Sequence, residues 1–161
     1  MKRLLVLAAL ALASCSNPKQ PTGTSFDPVA FFTGESHGEA RLQTLVGSSH
    51  VSVDSLGRAT PDGGVILDQR IREGDKPPRS RRWVLHPAGK GRWRGTLTDA
   101  KGPVTVVRTP QKLLIRYETP SGQRFEQSLV QLPNGKVDNL LTVRKWGVQL
   151  ATLHETISKA D

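Results

Sequence analysis

Turn-forming residues return along this chain at intervals of roughly ten residues, a spacing that suits short strands joined by tight connections. Clusters containing Gly, Pro, Asp or Asn fall at 54–57, 61–64, 74–78, 87–91, 99–103, 109–110, 120–122 and 133–135. Between them apolar residues alternate, because successive side chains of a strand point to opposite faces. Val65, Leu67 and Ile71 share one face while Asp68, Arg70 and Arg72 share the other; Trp93 and Leu97 oppose Arg92, Arg94, Thr96 and Thr98. Leu113, Ile115 and Tyr117 form a third such face, and Val137, Asn139, Leu141 and Val143 alternate with Lys136, Asp138 and Arg144. Asn134-Gly135 suits a type I′ hairpin turn, whose two central residues both need positive φ. The stretch 146–158 fits strand and helix periodicity equally. Connections this short exclude parallel crossovers, and closure of an antiparallel sheet removes its exposed edges. The expectation is an all-β, antiparallel up-and-down barrel of about 8–10 strands, with at most one short N-terminal helix near residues 28–32.

The N-terminus carries an address. Lys2 and Arg3 precede an unbroken apolar run over residues 4–13. At ~1.5 Å per residue it covers about 15 Å, half of the ~30 Å hydrocarbon core, so it reads as a signal peptide and not as a permanent span. Leu12-Ala13-Ser14-Cys15 resembles the bacterial lipobox, and Cys15 is the only cysteine. The expected organisation is a signal peptide over 1–14, a lipidated flexible tether over 15–25, and a barrel domain over 26–161. Residues 16–25 have no apolar side chain large enough to anchor a core, and two prolines. Two or three acyl chains hold a protein stably on a bilayer. Ser16, in place of an aspartate after the cysteine, favours the outer membrane, facing the periplasm. Acylated Cys15 leaves no thiol for a disulfide.

Basic residues outnumber acidic ones 23 to 14, a net charge of +9. The densest positive stretch is Lys76-Pro77-Pro78-Arg79-Ser80-Arg81-Arg82, followed by Lys90, Arg92 and Arg94. On an exported chain such a patch meets lipid head groups, lipopolysaccharide phosphates and cell-wall carboxylates, not nucleic acid. Arg79, Arg81, Arg82, Arg92 and Arg94 are therefore candidates for an anionic envelope partner, the other reading being a solvated strand face with snorkelling arginines. Trp83, Trp93, Tyr117 and Phe125 either line a pocket for a lipid or other hydrophobic small molecule, or fill the interior.

Catalytic motifs are thin. Gly34-Glu35-Ser36-His37-Gly38 matches G-x-S-x-G, but that motif needs a strand–turn–helix context that an all-β chain does not supply; His37 beside it reads as a solvated turn residue. His37, His50, His86 and His154 stand singly, without metal-ligand spacing. No catalytic residue, metal or cofactor is expected. An enzyme acting on a bound lipid would need a buried, strongly perturbed histidine or carboxylate inside the barrel.

Three segments carry a family resemblance: Phe26-Asp27-Pro28-Val29-Ala30-Phe31-Phe32-Thr33-Gly34; Arg82-Trp83-Val84-Leu85 with Gly91-Arg92-Trp93-Arg94-Gly95-Thr96 and Asp99-Ala100-Lys101-Gly102-Pro103; and Arg144-Lys145-Trp146-Gly147-Val148-Gln149-Leu150. In order and spacing they resemble a bacterial family of lipoproteins of unknown function with a lipocalin-like (calycin-like) barrel. The resemblance implies that aromatics plug one barrel end, that Gly34 and Gly38 open a long first strand, and that the last segment is strand. It lends no reaction. The functional expectation is a non-enzymatic envelope lipoprotein that binds an apolar or amphipathic, lipid-like ligand, with arginines orienting an acidic head. The alternative is a filled barrel that presents its basic face to anionic envelope components or to a protein.

Overall fold

The computed structural model describes residues 19–160; the expected signal peptide over 1–14 and the expected acylation site Cys15 lie outside the described residues. Ten strands form one sheet: β1 (Gly34–Thr44), β2 (Gly47–Ala59), β3 (Val65–Glu73), β4 (Arg79–Pro87), β5 (Arg92–Leu97), β6 (Val104–Arg108), β7 (Leu113–Glu118), β8 (Arg124–Gln131), β9 (Val137–Lys145) and β10 (Val148–Lys159). Each pairs antiparallel with its sequence neighbours, and β1 also pairs with β10, so the barrel closes. The expected all-β fold is thus present, at ten strands. The hairpins divide into two ends. One end carries the loops after β2, β4, β6 and β8; the other carries the hairpin tips at 45–46 and 146–147.

The first of these ends is closed. Asp27 caps the short helix α1 (Pro28–Phe32), its Oδ1 accepting from the amides of Val29 and Ala30 at 2.8 and 3.1 Å, with Pro28 pre-set at the first turn. Phe26, Phe31 and Phe32 pack edge-on or tilted, with centroids 5.0–6.3 Å apart. Gly57 lets the helix sit this close, since a Cβ there would lie 1.7 Å from the Phe32 carbonyl oxygen.

One open point is settled as the resemblance implied, and one local expectation changes. The stretch 146–158 is strand, and its turn is Trp146-Gly147, with φ of +51° and +81°. That two-residue connection between paired Lys145 and Val148 is the type I′ hairpin. At Asn134-Gly135 only the glycine is left-handed, at +80°. Leu132 instead pairs with Lys136 around a three-residue loop that Pro133 opens and Gly135 closes. Proline fixes φ near −65°, which suits a type I turn followed by a left-handed glycine better than a primed turn.

Part of the segment read as a tether lies on the barrel wall. Gln20 Nε2 donates to the Ser128 carbonyl at 2.5 Å, Ser128 Oγ returns a bond to Gln20 Oε1 at 2.7 Å, and Thr24 exchanges two backbone bonds with Gln131. Polar side chains here satisfy the outer face of β8 without needing a core.

Candidate functional site

The barrel is filled at one end and hollow at the other. In the filled part, Val65, Val104, Val106, Leu113, Leu129 and Val137 are fully buried in one core cluster, and a space of only about 50 Å³ remains among their neighbours. Towards the open end, inward residues of β1–β3 and β8–β10 surround a cavity of about 510 Å³, a volume in the range of small-molecule sites. Barrel diameter grows with strand number, so ten strands bearing Val, Ala, Ile and Leu do not meet across the centre. The walls there are Leu42, Val51, Val53, Ile71, Leu141 and Val143.

Arg81, Gln127, Asn139 and Glu155 line both spaces and so form a polar floor between them. Each sits at an inward position of its strand: Arg81 beside Trp83 on β4, Gln127 between Phe125 and Leu129, Asn139 between Val137 and Leu141, Glu155 between Leu153 and Ile157. Arg81 Nε donates to Gln69 Oε1 at 2.7 Å, the same oxygen that accepts from Trp83 Nε1 at 2.7 Å, and its guanidinium carbon lies 5.2 Å from the Trp83 ring centre. Asn139 Nδ2 bridges Gln127 Oε1 at 3.2 Å and Glu155 Oε2 at 2.8 Å. Gln127 Nε2 and Asn139 Oδ1 are buried without a hydrogen-bond partner among the described residues. The floor thus offers a cation, a neutral donor and an acceptor. Gly38 makes room for it, since a Cβ there would lie 2.1 Å from Glu155 Oε1.

Burial sets the floor's protonation. It pushes the Tyr117 hydroxyl up, keeping it a donor at neutral pH, against the opposing charge of Arg81. Desolvation lowers Arg81, which Tyr117 and Glu155 partly offset. Burial also raises Glu155 above its ordinary 4.5, with the Asn139 hydrogen bond and the Arg81 charge opposing it. The folded chain therefore keeps this proton to higher pH than the unfolded chain. The associated stability is fully present below pH 4.5 and is lost as pH rises through the folded pKa. Glu155→Gln retains an oxygen for Asn139 and carries no charge. In thermal denaturation the variant should match the native chain below pH 4.5 and melt at a higher temperature at neutral pH. A variant less stable than the native chain at neutral pH would contradict this.

Of the aromatic candidates, Tyr117 and Phe125 line the cavity, their rings stacked at 4.7 Å and 13°. Trp83 stands one layer below, edge-on to Tyr117 at 5.6 Å. Trp93 is buried in the filled half, away from the cavity. The arginines do not form one face. Arg81 is inside; Arg79 lines the mouth and pairs with Asp99 at 3.1 Å; Arg82 points outward and grips Asp68 through two bonds of 2.5 and 2.9 Å; Arg92 and Arg94 face solvent on β5. Ser36 and His37 are neighbours within β1, not on a turn, and face opposite sides of the wall. Ser36 is buried, whereas His37 lies in an exposed network with Glu39 and Asp54 at 2.5 and 2.7 Å. Both carboxylates, through their hydrogen bonds, raise the His37 pKa.

Residues 5–159 match a family described as "Protein of unknown function (DUF3833)". No curated protein matches the chain. Among solved structures, the S-type phycobiliprotein lyase CPES from Guillardia theta is similar, with a TM-score of 0.67 at 6% identity, covering 83% of this chain and 90% of that one. At that identity the likeness is one of fold, a lipocalin-like barrel.

Proposed function

The chain belongs to the DUF3833 family, and from that premise we propose that it is a lipid-anchored envelope protein that binds one amphipathic, lipid-like molecule in the open half of its barrel. Cys15 is the acylation site, and the outer membrane, facing the periplasm, is the location the sequence favours. The observation that carries the ligand reading is the apolar-walled cavity above a floor containing Arg81 and two buried polar atoms without a hydrogen-bond partner among the described residues. Apolar burial would hold the tail. An acidic or hydrogen-bonding head would supply what the floor lacks: an acceptor for Gln127 Nε2 and for the Arg81 N–H groups beyond the one that Gln69 takes, and a donor for Asn139 Oδ1. The role is binding, not catalysis; Ser36 and His37, on opposite faces, cannot act together.

The test is titration of the purified chain with a fluorescent long-chain fatty acid. One molecule should bind, and Arg81→Met should weaken it roughly 10- to 100-fold, the worth of a hydrogen bond to a charged group. No binding, or equal affinity in the variant, would contradict the reading.

Glu155 carries a second reading. A buried carboxyl with a raised pKa at the floor of a pocket is the feature that acid–base chemistry on a bound lipid requires. Chemical change in a bound lipid, produced by the native chain and abolished by Glu155→Gln, would establish it.

A further inference from the structure

The hairpin tips at the open end are apolar and uncovered. Leu45 and Val46 are 73% and 98% exposed, Trp146 and Val148 90% and 57%. The two tips are neighbours, because Thr44 on β1 pairs with Gly47 on β2 and with Ala151 on β10. A two-residue turn normally presents polar residues to water; these present Leu-Val and Trp. Trp146 is held in the left-handed conformation, and Lys145 Nζ lies 4.5 Å from its ring centre. Aromatic rings with adjacent basic groups are the usual anchors at a membrane–water interface.

The charge at this end is complementary to anionic lipid. The acids Glu73, Asp99 and Glu118 are each engaged, by Lys76, Arg79 and Arg124. Lys101, Arg144 and Lys145 have no acidic partner among the described residues. Asp75 is the opposing acid on the β3–β4 loop. The N-terminal segment points the same way. Going back from Thr24 to Gln20, the chain climbs the outside of β8 from Gln131 to Ser128, towards the open end. Cys15 precedes Gln20 by five residues, a reach of up to about 17 Å. The remaining distance along β8 from Ser128 to Arg124 is about 13 Å.

We propose that the open rim docks on an anionic lipid bilayer, with Leu45, Val46, Trp146 and Val148 in the interface and the cavity mouth turned towards the membrane. The anchor and the rim then engage one bilayer. The proposal rests on the lipid-like ligand reading only for its purpose, which is direct transfer between bilayer and cavity, and on Cys15 acylation only for its reach.

The test uses the full chain with vesicles of phosphatidylcholine and phosphatidylglycerol whose acyl chains carry bromine, which quenches tryptophan at contact. Trp83 and Trp93 are inside the barrel, so Trp146→Phe identifies the emission that belongs to the rim. Most of that emission should be lost and blue-shifted on the vesicles, and Cys15→Ser should show the same quenching at higher lipid concentration. In that unanchored background, Arg144→Gln and Lys145→Gln should each weaken binding roughly fivefold, in line with about 1 kcal/mol per basic residue at an anionic surface. Vesicle-bound chain with unquenched, unshifted Trp146 overturns the proposal, as does failure to bind; a protein partner would then be the occupant. The intact mass of the chain tests the anchor separately, because an unacylated chain with quenched Trp146 refutes the anchor and leaves the docking standing.

Discussion

Leu141→Trp closes the cavity and leaves the barrel folded. Leu141 faces inward on β9, opposite Leu153 in the β10 register, and forms part of the wall of the open half. In a close-packed core an added ring forces off-rotamer side chains and costs about 1–3 kcal/mol. Here the ring enters a space of about 510 Å³, where it gains contacts instead of displacing neighbours. The midpoint of denaturant unfolding should change little, while affinity for a fatty acid probe should fall at least about tenfold, equivalent to roughly 1.4 kcal/mol. The opposite pattern, a marked loss of stability with unaltered probe binding, would show that the open half is packed in solution. The same substitution at Leu129, in the filled half, gives the control: with 2% exposure and only about 50 Å³ of space beside it, Leu129→Trp should be strongly destabilising.

The second large effect is at the plug. In Gly57→Ala the new methyl group would lie 1.7 Å from the Phe32 carbonyl oxygen and 2.7 Å from its carbon. Both are backbone atoms, so no rotamer change relieves the contact. Either β2 shifts out of register with β1 and β3, or α1 lifts off and exposes Phe26 and Phe31. Overpacking against fixed atoms should cost about 2–4 kcal/mol in urea unfolding. A loss below about 0.5 kcal/mol, the range of ordinary surface substitutions, would mean that the helix does not seat on β2.

Alternation made the barrel legible because burial on one face enforces a period of two, and Val65, Leu67 and Ile71 keep that period whatever the strand count. The number ten was not legible, since closure depends on register between strands. The 146–158 segment was ambiguous because Trp146, Leu150, Leu153 and Ile157 also satisfy a helical period. A left-handed Trp146 and pairing with β1 settle it, and both are tertiary.

At the candidate site Tyr117 and Phe125 were found as aromatics on strands, whereas the floor was missed. The basic run 76–82 reads as a patch if its residues are taken together. Taken by parity, Arg81 falls with Trp83 and Leu85, and the next inward polar residues, Gln69, Gln127, Asn139 and Glu155, follow the same rule. Asn139 was already visible on the apolar face of β9. A polar residue at an inward position was therefore the available signal, and β3, β4, β8, β9 and β10 each carry one of these five. Hollowness itself has no local signature, because it arises from small and medium side chains failing to span a ten-stranded diameter.

The most direct measurement is native mass spectrometry, with lipid extraction, of the full chain purified from its own membranes without denaturation. One amphipathic molecule per chain, carrying an acidic or hydrogen-bonding head and absent from Arg81→Met, is the predicted result. A native chain that is ligand-free at every preparation, with the same mass as Arg81→Met apart from the substitution, would contradict the account.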